Sequence, residues 1–208
     1  REEPYREVAR LWERVLGPEA ALDVLRRGRT AVGDPRALAL EMGDVLAELG
    51  ETEAAVEEWS TALVADPRLD QEVARRLGTL PDPLTAGRAV VGRLTGGAEG
   101  DPSALRAAAS LAVALELEAE ALTVARSLSR DLGGRARGAF LAELGRRAAD
   151  EEMAELAAWA WEELGAVAAS PGERRQFDQR LVEASLAAGD TAAALEAQRR
   201  VAGSFGER

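Results

Sequence analysis

No stretch of this 208-residue chain alternates apolar and polar positions with the two-residue period of a strand. Ala, Leu, Glu and Arg dominate instead, and these are strong helix formers. Breakers fall at regular intervals: Gly17-Pro18, Gly33-Asp34-Pro35, Gly50, Asp66-Pro67, Pro81-Asp82-Pro83, Gly96-Gly97, Asp101-Pro102, Gly133-Gly134, Pro171-Gly172 and Gly189-Asp190. Between them lie helical stretches of about 11–18 residues, within the usual range for globular helices. About twelve helices with short connections are predicted, so neighbours in sequence should pack antiparallel.

The pattern also repeats. From Arg36 to Leu69 it reads as one helix–turn–helix unit: Met42 and Gly43 on a first helix, Gly50 at the turn, Ala55, Trp59 and Ala62 on a second, and Pro67 after it. Gly43 and Ala55 are small where two helices approach closely. Trp59 and Leu46 are large where space between pairs must be filled. Pro67 cannot continue a helix and sets the start of the next unit. Thirty-four residues before Ala39, Met42, Gly43, Leu46, Ala55, Trp59 and Ala62 stand Tyr5, Val8, Ala9, Trp12, Ala21, Leu25 and Gly28. Leu77-Gly78 repeats the Met42-Gly43 pair, although Pro81 and Pro83 should cut that unit's first helix short. Ala109 with Ala121, Leu144-Gly145 with Ala157 and Trp161, and Gly189 with Ala194 mark the later units.

This 34-residue register resembles the tetratricopeptide repeat, carried by Met42, Gly43, Leu46, Gly50, Ala55, Trp59, Ala62 and Pro67. Ala39 stands where that family has an aromatic residue. The resemblance implies an all-α, right-handed α-solenoid of about six antiparallel helix pairs, its core supplied by stacking of neighbours. It implies a single repeat domain over residues 1–208. The cluster of Gly92, Gly96, Gly97 and Gly100 reads as a flexible joint at 92–102 between the first three units and the last three. The joint carries no phosphate-loop spacing. A chain that begins at Arg1 without an initiating Met suggests a fragment or a processed protein, and no polar capping helix closes its C-terminal end. An (α/α)₆ toroid also has twelve helices, but needs a longer chain with long loops.

Composition narrows the chemistry. The chain holds no His, Cys, Lys, Asn or Ile, so all 26 basic residues are Arg. Without Cys there is no disulfide, zinc ribbon or thiol nucleophile. Without His there is no Ser-His-Asp triad, and without Lys no Walker A site or Schiff base. No enzymatic activity and no cofactor are expected. The net charge of −11 argues against nucleic acid, which demands a basic patch. The longest uncharged apolar stretches, such as Ala107 to Leu115, are about half of a membrane span. Codon bias of a GC-rich bacterium accounts for the missing Lys, Asn and Ile, which leaves bacterial cytoplasm or periplasm open.

In the tetratricopeptide family, the first helix of each pair lines a concave groove that grips a peptide or a partner's helix. That face maps here to Arg6 and Arg10, then to Leu40, Glu41, Asp44 and Glu48, then to Arg75 and Arg76, and on to Arg106, Arg146 and Arg180. Arg6, Arg10, Arg75, Arg76, Arg106 and Arg146 form either a basic strip for a partner's carboxylates or ordinary ion pairs along helix surfaces. Glu2–Arg6, Glu72–Arg76, Glu143–Arg147 and Glu196–Arg200 have the i,i+4 spacing of the second kind. Family members that clamp a C-terminal carboxylate use Lys and Asn, which are absent. Trp12, Trp59 and Trp161 occupy core positions. Trp159 either seals against a neighbouring unit or anchors a partner, and Phe140 and Phe177 pack between units. The acids at Glu57-Glu58, Asp150 to Glu155 and Glu162-Glu163 fit helix starts and solvated faces rather than metal or catalytic sites. The expected role is a non-enzymatic scaffold binding a protein or peptide on its concave face. The alternatives are a positioning or regulatory domain of a larger protein, or a module that self-assembles through its uncapped C-terminal end.

Overall fold

A computed structural model describes residues 2–96 and 101–204. They form twelve α-helices and no strand: α1 (Glu3–Leu16), α2 (Pro18–Val32), α3 (Ala39–Glu48), α4 (Thr52–Ala65), α5 (Asp70–Leu77), α6 (Pro83–Gly96), α7 (Pro102–Ala114), α8 (Glu118–Asp131), α9 (Gly134–Asp150), α10 (Ala154–Ala166), α11 (Pro171–Ala187) and α12 (Thr191–Gly203). A short 3₁₀ turn, Pro67–Leu69, precedes α5. The chain is all-α, with consecutive antiparallel helix pairs, as the repeat pattern predicts. It divides into two compact units, 1–115 and 116–208. The proposed joint at 92–102 overlaps the end of α6 and the start of α7. Its residues 97–100 lie outside the described residues.

In the first unit, α1 packs on α2 and α3 on α4, and α2 joins the two pairs by packing on α3. The turns are built as the breakers require. Gly50 and Gly33 adopt left-handed backbone (φ 77° and 76°), where a side chain would be strained. Asp66 caps the 3₁₀ turn by accepting from the Arg68 amide, and Asp101 caps α7 through the Ser103 amide. Pro81 and Pro83 leave α5 with eight residues, and α6 packs more on α4 and α7 than on α5. The repeat is therefore distorted where the sequence predicts irregularity.

The core follows the repeat positions. Ala21, Leu25, Met42, Gly43, Leu46, Ala55, Trp59 and Ala62 are buried. A Cβ on Gly43 would lie 2.5 Å from the indole of Trp59, so the α3–α4 approach admits only hydrogen at that position. Trp12 departs from its expected core role: it is 36% exposed, while Leu46, its counterpart 34 residues on, is 4% exposed. Among the described residues no helix covers that side of α1, so the outward large position of the first repeat has nothing to fill.

In the second unit, α9 packs on α10, α10 on α11 and α11 on α12, with α8 against α9 and α10. The Gly–Trp device recurs. A Cβ on Gly145 would come within 3.0 Å of the Trp161 ring and 3.2 Å of the Ala160 methyl. Glu118 of α8 accepts a hydrogen bond from the Leu156 amide (3.0 Å) and so serves an unsatisfied donor in the first turn of α10. Asp178 is buried and held by the Arg200 guanidinium at 2.8 Å, which ties α11 to α12. Phe177 packs on Trp161 between pairs, as expected, and Phe140 is half-buried on α9.

Candidate interaction surfaces

In the first unit the first helices of successive pairs, α1, α3 and α5, are linked by ion pairs. Arg6 of α1 meets Glu41 of α3 at 2.6 Å and Glu2, just before its own helix, at 2.5 Å. Asp44, one turn on from Glu41 on α3, grips Arg76 of α5 through both oxygens at 2.5 and 2.9 Å. Asp44 also accepts the indole N–H of Trp59 at 3.1 Å. Glu72 pairs with Arg75 at 2.8 Å and with Arg76.

These contacts set the electrostatics of the face. Burial pulls the Arg6 and Arg76 guanidinia down, but the surrounding carboxylates outweigh it and both end above the ordinary value. Hydrogen bonds from Arg75 and Arg76 hold the Glu72 carboxyl down to about 2. Glu13 of α1 moves the other way. Burial, the charge of Glu48, a shared hydrogen bond with Glu48 and the charge of Asp44 raise it. Carboxylates thus alternate with guanidinia here, and Arg6 and Arg76 have their charges matched within the chain. Arg75 is more open, with its side chain 65% exposed. Arg10 and Arg106 are exposed on α1 and α7.

The second unit places its first helices differently. Between α9 and α11 runs an open groove of about 740 Å³. Its floor is Ala157 and Trp161 of α10, and its walls carry Arg146 and Asp150 on one side and Gln176, Gln179, Arg180 and Glu183 on the other. The Trp161 ring stacks on Phe177 (centroids 6.3 Å apart, planes at 15°), and the Arg180 guanidinium lies 4.7 Å over it. This contact adds cation–π attraction to an otherwise apolar floor. Arg146 pairs with Glu143 on its own helix, in a contact whose side chains are more than half exposed. Exposed pairs of this kind contribute ~0.2–1 kcal/mol and exchange partners readily. Trp159 is half-buried and faces away from this groove. It lines a smaller hollow of about 290 Å³ with Arg126, Leu181, Ser185 and Arg200.

The predicted residues therefore fall into separate sets. Arg6, Arg75 and Arg76 belong to the ladder of the first unit, Arg146 to the groove of the second, and Trp159 to the hollow behind α10. Sequence reasoning missed Gln176 and Gln179. Arg180 lies 34 residues after Arg146, so the register that matched the two arginines marks the first-helix face on which both glutamines stand. Among the described residues no cluster of three or more Asp or Glu is arranged to hold a metal ion. No described helix is long and apolar enough to cross a membrane.

No family's sequence profile matches the chain, and no curated protein matches it. Among solved structures it is similar to PilW, described as a widely conserved type IV pilus biogenesis factor, at 11% identity and a TM-score of 0.36. The alignment covers 100% of this chain and 94% of that one.

Proposed function

We propose that this chain is a non-enzymatic protein-interaction module whose α9–α11 groove receives an extended segment of a partner protein. The observation that carries this reading is the pairing of an aromatic floor with side-chain amides and guanidinia on the walls. Trp161, 4% exposed beneath Phe177 and Arg180, stiffens that floor and holds the Arg180 guanidinium at the groove. Gln176 and Gln179 each carry a donor and an acceptor, which suits a peptide backbone that must exchange water for new partners. Arg146 and Arg180 supply planar donors for carboxylates. The partner segment is then an acidic peptide.

Panning a random peptide phage library against the intact protein tests this. Enriched peptides should be rich in Asp or Glu. Their affinity should fall at least tenfold in Gln179→Ala and in the double variant Arg146→Glu with Arg180→Glu, with helicity unchanged by circular dichroism. Selected peptides that bind these variants as tightly as the parent protein would overturn the assignment of the groove.

A further inference from the structure

We infer that the outer face of α1 pairs with the same face of a second copy of this chain, antiparallel about a two-fold axis. Four of its side chains, Val8 (40% exposed), Leu11 (51%), Val15 (69%) and Leu16 (62%), are large apolar groups left open, and Trp12 lies beside them. Val8, Leu11 and Val15 follow the three-then-four spacing of a coiled-coil seam. Trp12 and Leu16 widen it toward the body of the protein. The opposite edge of the helix is already used: Ala9 is buried, and Tyr5 packs where Gly28 of α2 leaves room for its ring.

The occupant follows from the charges along the free edge of the seam. At about 100° per residue, Glu3, Glu7, Arg10 and Arg14 share one strip beside Leu11 and Val15. The acids occupy its first half and the arginines its second. All four side chains are exposed, and Arg14 donates to the Arg10 carbonyl of its own helix at 3.3 Å. Antiparallel pairing lays this strip beside its own copy with the sense reversed. Glu7 of each copy then meets Arg14 of the other, and both contacts form twice because the interface is isologous. In a parallel pair this edge would face Tyr5 and Trp12 instead, and the charges would gain nothing. A helix of 14 residues is about 21 Å long. One such face is smaller than the ~800 Å² per partner of a standard interface, so the dimer should dissociate in the micromolar range.

The test is sedimentation equilibrium of the intact chain across micromolar to millimolar concentration, with circular dichroism as the check on folding. The expected result is a reversible doubling of mass. Leu11→Glu should abolish it with helicity unchanged, since Leu11 faces solvent in the single copy. Glu7→Arg alone and Arg14→Glu alone should each weaken association at least tenfold. The double swap Glu7→Arg with Arg14→Glu should restore it, because the strip is self-complementary again. Three results would overturn the inference: a monomer throughout, a dimer indifferent to Leu11→Glu, or a double swap no tighter than the single reversals. A dimer lost on Leu195→Glu, at the exposed leucine of α12, but kept in Leu11→Glu would place the contact at the C-terminal end and would likewise overturn it.

Discussion

The α3–α4 and α9–α10 pairs begin from the same instruction and end as opposite surfaces. Each sets a glycine on its first helix against a tryptophan 16 residues later on its second. In the first pair the indole N–H is claimed by Asp44, and Asp44 is claimed in turn by Arg76, so ionic contacts cross the first-helix face. In the second pair the indole meets a phenyl ring and a guanidinium, and the face above it stays open as a groove. The difference lies one residue after each glycine. Asp44 follows Gly43 and bridges to the next helix, whereas Arg146 follows Gly145 and pairs with Glu143 of its own helix. A shared packing device thus fixes the backbone, while one neighbouring residue decides whether the face bonds to itself or remains available.

Four measurements would break or sharpen this contrast. The largest effect is expected from emptying the closed pair. Trp59→Ala should destabilise the protein by about 3–5 kcal/mol in denaturant melts, as for other buried aromatic truncations, because Trp59 is 1% exposed and its loss also leaves Asp44 short of a donor. Next comes the glycine. Gly43→Ala would push a methyl to 2.5 Å from the ring and should cost about 1–3 kcal/mol. Gly145→Ala, at 3.0 Å, should fall near zero, because the ~1 kcal/mol gained in helix propensity offsets a small shift of Trp161. Equal losses at the two sites would show that the pairs are not packed differently.

A smaller effect tests the bridge. Asp44→Ala should cost about 1–2 kcal/mol, because Arg76 is largely covered (its side chain is 16% exposed) and would keep only Glu72 as a carboxylate partner. The matching change Arg146→Ala in the open pair should leave thermal stability within experimental error. The smallest concerns Glu13, whose carboxyl is raised by burial and by Glu48. An acid raised in the folded state favours folding below its unfolded value, and that contribution is lost as pH rises through the folded one. Glu13→Gln should therefore raise the melting temperature by about 1–2 °C at pH 7 and by less at pH 4. Glu72, held at about 2, has the opposite sign: its contribution is present above the ordinary glutamate range and fades as pH falls toward 2.

Much of the fold is legible in the sequence because breakers and small residues act locally. Gly50, Pro67 and the Pro81–Pro83 segment each impose a backbone consequence that needs no tertiary context, and the short α5 follows directly. The Gly–Trp pairs are legible only as small and large positions: the register sets Gly43 with Ala55 and puts Trp59 between pairs, and the structure brings Gly43 against Trp59 instead. Trp12 was not, because its burial depends on a neighbour that the register cannot guarantee. The candidate surfaces are legible only in part. The register finds the helices that carry Arg6, Arg76 and Arg146, but not which carboxylate each will meet. That choice depends on side-chain reach between helices, as in the 32-residue jump from Asp44 to Arg76.

The ladder of the first unit has a consequence for how the protein responds to its surroundings. Every cation in it is a guanidinium, which keeps its charge throughout the physiological range, and the chain has no histidine to switch near neutrality. Acidification within that range offers little purchase on these contacts. Ionic strength does, because salt screens ion pairs between exposed side chains while covered pairs are screened far less. Arg75 and Glu72, at the open edge, should loosen first as salt rises, with Arg76 and Asp44 holding beneath them. The face is thus tuned by salt, from its rim inward, rather than by protons.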